Sequence, residues 1–319
     1  MERLSDKKKK LIYVILEKIV ITLITIFSIF TITFLLLEII PGEVYNTDLI
    51  KSEIVANNLR NKYHLDASLS ERYWVALINI IRFDFGNSYI NEGRSVNEII
   101  STHMPISALY GGMALATSIV VSVILGIVLS KYPAARKVTV YIIAVLISMP
   151  TFALASLLQY FLCVKINIFP VYGSDGAYSA FLPICIISFP LVLMQTRLLM
   201  NNVSEIRDKE YTIQARHLGV SKSKILIMYL LKNSLTSVLT YIGLIMADLL
   251  VGSFVVETTF NIPGLGRYFV NSITNRDFPV IMGLTLFYSI LIIVFTSITD
   301  VMIAVIDYRG RGNELYEKL

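Results

Sequence analysis

Few side chains in this 319-residue chain are equipped for chemistry, and most stand singly inside long apolar runs. Asp248 lies in the run 234–256, Gln159 in 138–164 and Gln195 in 181–199. Asp300 and Asp307 are seven residues apart on one helical face of the last run. An ionisable side chain at the centre of a membrane helix costs roughly 2.5–3.5 kcal/mol on insertion scales, so such groups turn toward a bundle interior or an aqueous cavity. Asp248 therefore lines a path that attracts an amine or a cationic complex, or it pairs with a neighbouring helix or subunit. Gln159 and Gln195 are further candidates for a polar path. Asp300 and Asp307 fit a helix interface better than transport chemistry, and Glu38, near the end of the first run, can snorkel.

The residues that would make the chain an enzyme are missing. It has no Gly-rich loop ending in Gly-Lys-Ser/Thr to cradle a phosphate, no His-Glu-x-x-His helix and no nucleophile elbow. His64 and His103 lack a third ligand at metal spacing, and Cys163 and Cys185 are two thiols in apolar surroundings. No catalytic residue, metal site or cofactor is expected in this chain.

The elements that must position the polar residues follow from composition. Hydrophobic residues make up 55% of the chain and charged ones 16%, with mean hydropathy +0.68. That is too apolar for a soluble domain of this length. The net charge of +5 needs no nucleic acid, because most of the basic residues lie in segments that a positive-inside orientation places in the cytoplasm. The expected order is a basic tail at 1–10, a first span at 11–40, an external insert at 41–106 and spans at 107–131, 138–164 and 181–199. A loop at 200–233, a span at 234–256, a turn at 257–278, a last span at 279–306 and a tail at 307–319 complete it. The first run is too long for a signal peptide and has no small-residue cleavage site. Met149-Pro150 should kink the third span. Within the insert, Tyr73, Trp74, Leu77, Ile78 and Ile81 share one helical face, which can anchor the segment at the outer membrane interface or form a small core of its own, the latter being the expectation. Pro263-Gly264 and Gly266 predict a tight interfacial or re-entrant turn.

The class is thus an all-α polytopic membrane protein with six transmembrane helices. Six spans put both termini, the Lys131–Lys137 turn and the 200–233 loop on one side, the cytoplasmic side by the positive-inside rule.

That loop is long, charged and patterned as helix–Gly–helix. Ile206, Ile213, Ala215 and Leu218 are spread among charges, Gly219 supplies a helix stop, and Ser221 can N-cap a second helix through Ile225, Leu226, Tyr229 and Leu230. A solvated loop that only enforces topology would carry the same pattern. The spacing Ala215, three residues, Gly219, with Leu231 twelve residues on, resembles the cytoplasmic loop of binding-protein-dependent ABC importer permeases. That family shows Glu-Ala-Ala, three residues, Gly, nine residues, Ile-x-Leu-Pro. Here Ile213 and Gln214 replace the first Glu and Ala, Tyr229 the Ile and Lys232 the Pro. Glu210, Tyr211, Ala215 and Gly219 instead match the peptide and nickel branch.

Further motifs extend the resemblance over nearly the whole chain. Tyr63-His64-Leu65-Asp66 resembles that branch's Tyr-x-Leu-Asp, and Phe83-Asp84-Phe85-Gly86-Asn87-Ser88 its Gly-Asp-x-Gly-x-Ser. Val256-Glu257-Thr258-Thr259-Phe260-Asn261-Ile262-Pro263-Gly264-Leu265-Gly266-Arg267 is similar to a specific family segment, as is Arg276-Asp277-Phe278-Pro279-Val280. The chain is identified as resembling the B-type permease subunit of peptide/nickel ABC importers, located in a bacterial cytoplasmic membrane. The resemblance implies a half-pore that pairs with a second homologous permease, two ABC ATPase subunits and an extracytoplasmic substrate-binding (lipo)protein. ATP and Mg would be bound by the ATPases. It assigns ATPase coupling to Gln214, Ala215, Arg216, Gly219, Val220, Ser221 and Lys224, and structural roles to Glu257, Pro263, Gly264, Gly266 and Asp300.

Peptides are the first expectation for the substrate, and nickel or a metal–chelator complex the second. An ion-coupled secondary transporter using Asp248, Asp300 and Asp307 as a relay is the alternative from another class. It predicts internal repeats, and the insert after the first span has no counterpart in the second half. A membrane scaffold without transport has little beyond missing catalytic motifs to favour it.

Overall fold

The computed structural model describes residues 2–39, 67–91, 93–130, 132–173, 176–221, 224–225 and 242–308. Among them the chain is helical, with one lone antiparallel bridge between Asn87 and Ser95. The elements are α1 (Glu2–Ile39), α2 (Leu69–Ile81), α3 (Val96–Ser130) and α4 (Pro133–Ile147). Then come α5 (Thr151–Leu158), a π-helical segment (Gln159–Lys165), α6 (Ala177–Arg207) and α7 (Glu210–His217). The last three are α8 (Ile242–Thr259), α9 (Leu265–Asn275) and α10 (Phe278–Tyr308).

Four stretches are individually long and apolar enough to cross a bilayer: Leu16–Ile39, Val96–Ser130, Ala177–Arg207 and Phe278–Met302. Val138–Ile147 and Thr151–Lys165 make a fifth if taken together. The protein is an all-α polytopic membrane protein. The expected span at 234–256 enters the described residues only at Ile242, as α8. The Tyr63–Asp66 motif, the loop beyond Ile225 with Tyr229, Leu231 and Lys232, and the tail from Arg309 lie outside the described residues.

Several boundaries differ from the sequence expectation, each for a physical reason. The expected kink at Pro150 is a full break: α4 stops at Ile147, Pro150 is extended at φ −61°, ψ 133°, and the flanking pieces are bent by 87°. A proline that lacks its N–H and restrains the residue before it starts the next helix more readily than it continues the last. Pro105, Pro183 and Pro190 nonetheless remain inside helices. The second span begins at Val96, ahead of Ser107, and α6 continues to Arg207 within the expected loop. The 257–278 segment, expected as a turn, contains α9.

The chain forms two compact units, one built from Met1–Met104 and Tyr268–Val294, the other from Pro105–Arg267 and Phe295–Leu315. In the second, α8 packs on α5 and α6, and α4 packs on α6. Its core includes Tyr110, Leu182, Ile186, Ile245, Val256 and Phe260. Small residues allow close approach, as membrane helices require. A Cβ on Gly126 would stand 2.8 Å from Leu199 Cβ. Gln195 is 1% exposed, donates to Ser118 Oγ at 3.1 Å and accepts from Ser122 Oγ at 3.0 Å, tying α6 to α3.

In the first unit, α2 packs across the end of α1. Tyr73 lies against Phe30 and Phe34, each with ring centroids 5.3 Å away, and its hydroxyl meets Thr31 Oγ1 at 2.9 Å. Glu38, expected to snorkel, instead pairs with Arg72 at 2.7 Å. The small core expected from one face of α2 does not form as a unit. Tyr73 packs inward and Leu77 is half-buried, whereas Trp74 is 59%, Ile78 46% and Ile81 69% exposed.

Helix approach at Gly126 gives a direct test. Gly126→Ile is expected to cost about 1–3 kcal/mol by overpacking, read as a lower midpoint of thermal unfolding in detergent. Gly112→Ala, whose Cβ would meet nothing within 4 Å, should hold the midpoint or raise it slightly.

Candidate functional site

The loop between α6 and α8 carries the residues assigned to coupling. Lys209 begins α7 without a side-chain cap, and Glu210 in the first turn with Arg216 and His217 in the last suit the helix dipole. Thr212 and Ala215 face inward, and Thr212 donates its hydroxyl to the Ile206 carbonyl at 2.8 Å. The helix then closes on a Schellman turn. The Val220 N–H reaches the Ala215 carbonyl at 3.1 Å and the Gly219 N–H the Arg216 carbonyl at 3.1 Å, with Gly219 at φ +76°. The spacing of Ala215 and Gly219 thus has a mechanical cause. Position C3 must be small to bury against the bundle, and C′ must accept a left-handed backbone. Val220 then packs beside buried Val203 and Ile225. Ser221 accepts the Lys224 N–H at 3.4 Å and the Ile225 N–H through its carbonyl at 3.0 Å, the start of a second helical turn. Outward stand Tyr211, Ile213, Gln214, Arg216, Lys224 and Leu218, the last 83% exposed.

A second constellation surrounds Glu257, which is fully buried in the last turn of α8. Its Oε2 accepts the N–H of Gly266 at 2.7 Å and of Arg267 at 3.2 Å, while Ser107 Oγ of α3 accepts the N–H of Leu265 at 2.8 Å. The first-turn donors of α9 are therefore capped by side chains remote in sequence, where a negative charge also suits the dipole. Both glycines are steric necessities. A Cβ on Gly264 would sit 2.6 Å from Glu257 Cδ, and one on Gly266 would sit 2.6 Å from Phe254 Cα. Asn261 reverses the chain at φ +53°, and the Ile262 N–H returns to the Glu257 carbonyl at 2.8 Å. Pro263 precedes this cage and is half-buried.

The first unit holds a third. The Phe83–Ser88 and Arg276–Val280 motifs close on each other across 189 positions. Ser88 donates its hydroxyl to the Asp277 carboxylate, which also accepts the Tyr89 N–H at 3.0 Å, and the Ile90 N–H turns to Ser88 Oγ at 3.3 Å. Asp277 stands at the start of α10, where its backbone carbonyl accepts the Ile281 N–H at 2.9 Å, and is 3% exposed. Burial pushes its carboxyl above the ordinary range, against the opposing pull of its hydrogen bonds. Gly86 at φ +80° lets its N–H turn back to Asp84 Oδ1 at 2.9 Å.

The polar-path candidates are not brought together. Gln195 has its amide engaged by Ser118 and Ser122. Gln159 opens the π-helical segment and donates to the carbonyls of Val171 at 3.1 Å and Thr259 at 2.8 Å, holding a loop and the end of α8. Asp248 lies on α8, and its side chain falls outside the described residues, as does that of Asp307 on α10. Asp300 is exposed on α10. Cys163 is buried and Cys185 partly so, both as free thiols. His103 stacks on Tyr268 with centroids 4.2 Å apart. Among the described residues no cluster of His, Cys, Asp or Glu could hold a metal. Sequence reasoning missed Ser107, Ser88 and the capping role of Asp277, because partners 158 and 189 positions away leave no local pattern.

The two carboxylates make separable predictions. Glu257→Ala orphans two buried N–H groups at about 1–3 kcal/mol each, so the unfolding midpoint should fall well below that of Glu257→Gln, which keeps an acceptor. For Asp277, a folded-state pKa above the unfolded value of about 4 means that its stabilisation is complete below that pH and is lost as pH rises through the raised value. The midpoint of Asp277→Asn relative to the parent should therefore increase with pH, as measured by thermal unfolding over a pH series.

Comparison with known proteins agrees with these motifs. The family model for the binding-protein-dependent transport system inner membrane component matches residues 118–312. The dipeptide transport system permease protein DppB of Bacillus subtilis is 37% identical over 291 residues, 89% of this chain and 93% of the relative. DppB of Lactococcus lactis is 31% identical over 303 residues, 93% of this chain and 98% of its own. The oligopeptide transport system permease protein OppB of Haemophilus influenzae is 28% identical over 301 residues, with 93% and 98% covered. The chain belongs to the binding-protein-dependent transport system inner membrane component family.

Proposed function

We propose that this chain is the permease subunit of an ATP-binding-cassette importer and forms half of a translocation path for di- or oligopeptides. The observation that carries the coupling role is α7 itself. A short helix, anchored by Thr212 and Ala215 and stopped by the Gly219 turn, presents Tyr211, Ile213 and Leu218 outward, 43%, 40% and 83% exposed. Exposed apolar side chains on a polar helix between two spans suit a protein cleft better than water. Peptide is the substrate named for the relatives, and nothing among the described residues favours a metal. In this reading six spans place both termini in the cytoplasm. A second homologous permease completes the path, and two ATPases bind ATP and Mg. An extracytoplasmic binding (lipo)protein delivers the peptide. Closure of the ATPases pushes the Gln214–Lys224 region and switches the bundle between its two openings. The chain itself carries out no covalent chemistry.

Affinity purification of the tagged chain from its native membrane, with partners identified by mass, tests the assembly. A second permease and Walker-motif ATPases should be recovered in stoichiometric amounts. A chain recovered alone in mild detergent would contradict the importer reading. Coupling is tested at Gly219. The space around its absent Cβ is open, so Gly219→Val acts through the left-handed backbone, at about 1–2 kcal/mol, and not through a clash. Uptake of a labelled peptide should fall severalfold with membrane insertion unchanged, and Gly219→Asn should retain more of it. Wild-type uptake by Gly219→Val would remove the coupling role.

A further inference from the structure

The helix α2 presents an exposed apolar stripe. Trp74, Ile78 and Ile81 recur at helical spacing and are 59%, 46% and 69% exposed, with Val75 at 49% on the flank. None of the residues of α2 is buried. Its opposite face is committed: Tyr73 packs on Phe30 and Phe34, and Arg72 pairs with Glu38 at 2.7 Å. The stripe continues into Phe83, which is 70% exposed and held at φ +59°. A bulky residue in the left-handed region is a strained choice, at a place where the resembling motif has Gly, and its ring is left mostly unpacked by the protein.

The depth of α2 indicates what covers this stripe. The apolar span of α1 runs 24 residues, from Leu16 to Ile39, about 36 Å at 1.5 Å per residue, slightly more than a hydrocarbon core of about 30 Å. Tyr73 crosses α1 between Phe30 and Phe34, five to nine residues or about 8–14 Å along the axis from the end of that span, while the neighbouring Arg72 reaches Glu38 within one residue of that end. Interfacial amphipathic helices bury their apolar faces at about 5–10 Å. The bilayer-facing surface of α1 reaches the same level, with Leu35, Leu36 and Ile39 at 42%, 57% and 74% exposed. At this depth the Glu38–Arg72 pair neutralises two charges that would otherwise be costly. Exposed Arg82 ends the helix, where a guanidinium can reach headgroups.

We propose that α2 is an interfacial anchor, with Trp74, Ile78, Ile81 and Phe83 inserted into the headgroup–acyl boundary of the phospholipid bilayer beside the end of the first span. The anchor fixes the segment after α1 at the membrane surface. It does not rest on the import reading, because its readout is depth and not uptake.

Trp74 is the single tryptophan of the chain, so intrinsic emission reports this helix alone. The purified full chain is placed in nanodiscs of phosphatidylcholine that carries bromines near the glycerol end of its acyl chains, near the methyl end, or nowhere. The expected result is blue-shifted emission, loss of most intensity with bromines near the glycerol end, a smaller loss with bromines near the methyl end, and weak quenching by aqueous acrylamide. Emission quenched by acrylamide and untouched by bromine would put the helix in water and overturn the proposal. Emission insensitive to both quenchers would mean that a second copy of the chain covers the stripe, and stronger loss from the methyl-end bromines would mean that α2 lies in the hydrocarbon core. Either result overturns it as well.

Discussion

Every place where this chain leaves regular helix must satisfy its backbone N–H and C=O groups without relying on water, and that requirement shapes the rest of the structure. The breaks are closed by named side chains. Glu257 and Ser107 take the first donors of α9, and Asp277 with Ser88 takes those of the turn before α3. Gln159 supplies the carbonyls of Val171 and Thr259, Tyr110 donates its hydroxyl to the Gly173 carbonyl, and Arg207 reaches the Ser130 carbonyl at the end of α3 at 3.2 Å. Of the residues that looked suited to a transport path, Gln159 spends its hydrogen bonds on this task, while Gln195 spends its own on two serine side chains of α3.

The capping carboxyl groups do what a local cap would not. Their acceptor oxygens stand at a helix N-terminus, and the segment that carries them is fixed in position by the same bonds. Glu257 does this within a space so tight that Gly264 and Gly266 have no room for a methyl group. The family segment from Val256 to Arg267 is therefore one mechanical part: a carboxylate, a chain reversal at Asn261, and two glycines that let the backbone close over it. The Gly219 turn on α7 contrasts with it. There glycine is required by the sign of φ alone, and the surroundings are open.

Much of the architecture was legible in the residues. Long apolar runs separated by basic segments predict an all-α membrane protein, Ala215 and Gly219 predict the stop of α7, and Ser221 predicts the cap that receives the Lys224 N–H. These succeed because helix periodicity, left-handed glycine and N-capping are local, and a few neighbouring residues encode them completely. The family segments around Glu257 and Asp277 were equally visible as strings, without the reason for them. Pro150 was legible as a disturbance, but whether a proline kinks or ends a helix depends on the packing of the pieces, and Pro183 and Pro190 sit inside α6 with the same intrinsic handicap.

What the residues did not disclose is pairing at a distance. Nothing local links Ser107 to Leu265 or Ser88 to Asp277, and nothing local distinguishes the Gln195 amide bridging two serines from one lining a path. A buried polar group takes its role from the partner that folding brings within 3 Å, and that partner is chosen by the packing of whole helices. The same holds for α2. Its amphipathic pattern is plain in the sequence, yet which face turns inward was decided by Tyr73 and Arg72 meeting Phe34 and Glu38. The chain itself thus specifies helices, stops and apolar spans through short-range backbone physics, while the assignment of each polar side chain to cap, clasp or surface emerges only when those helices pack.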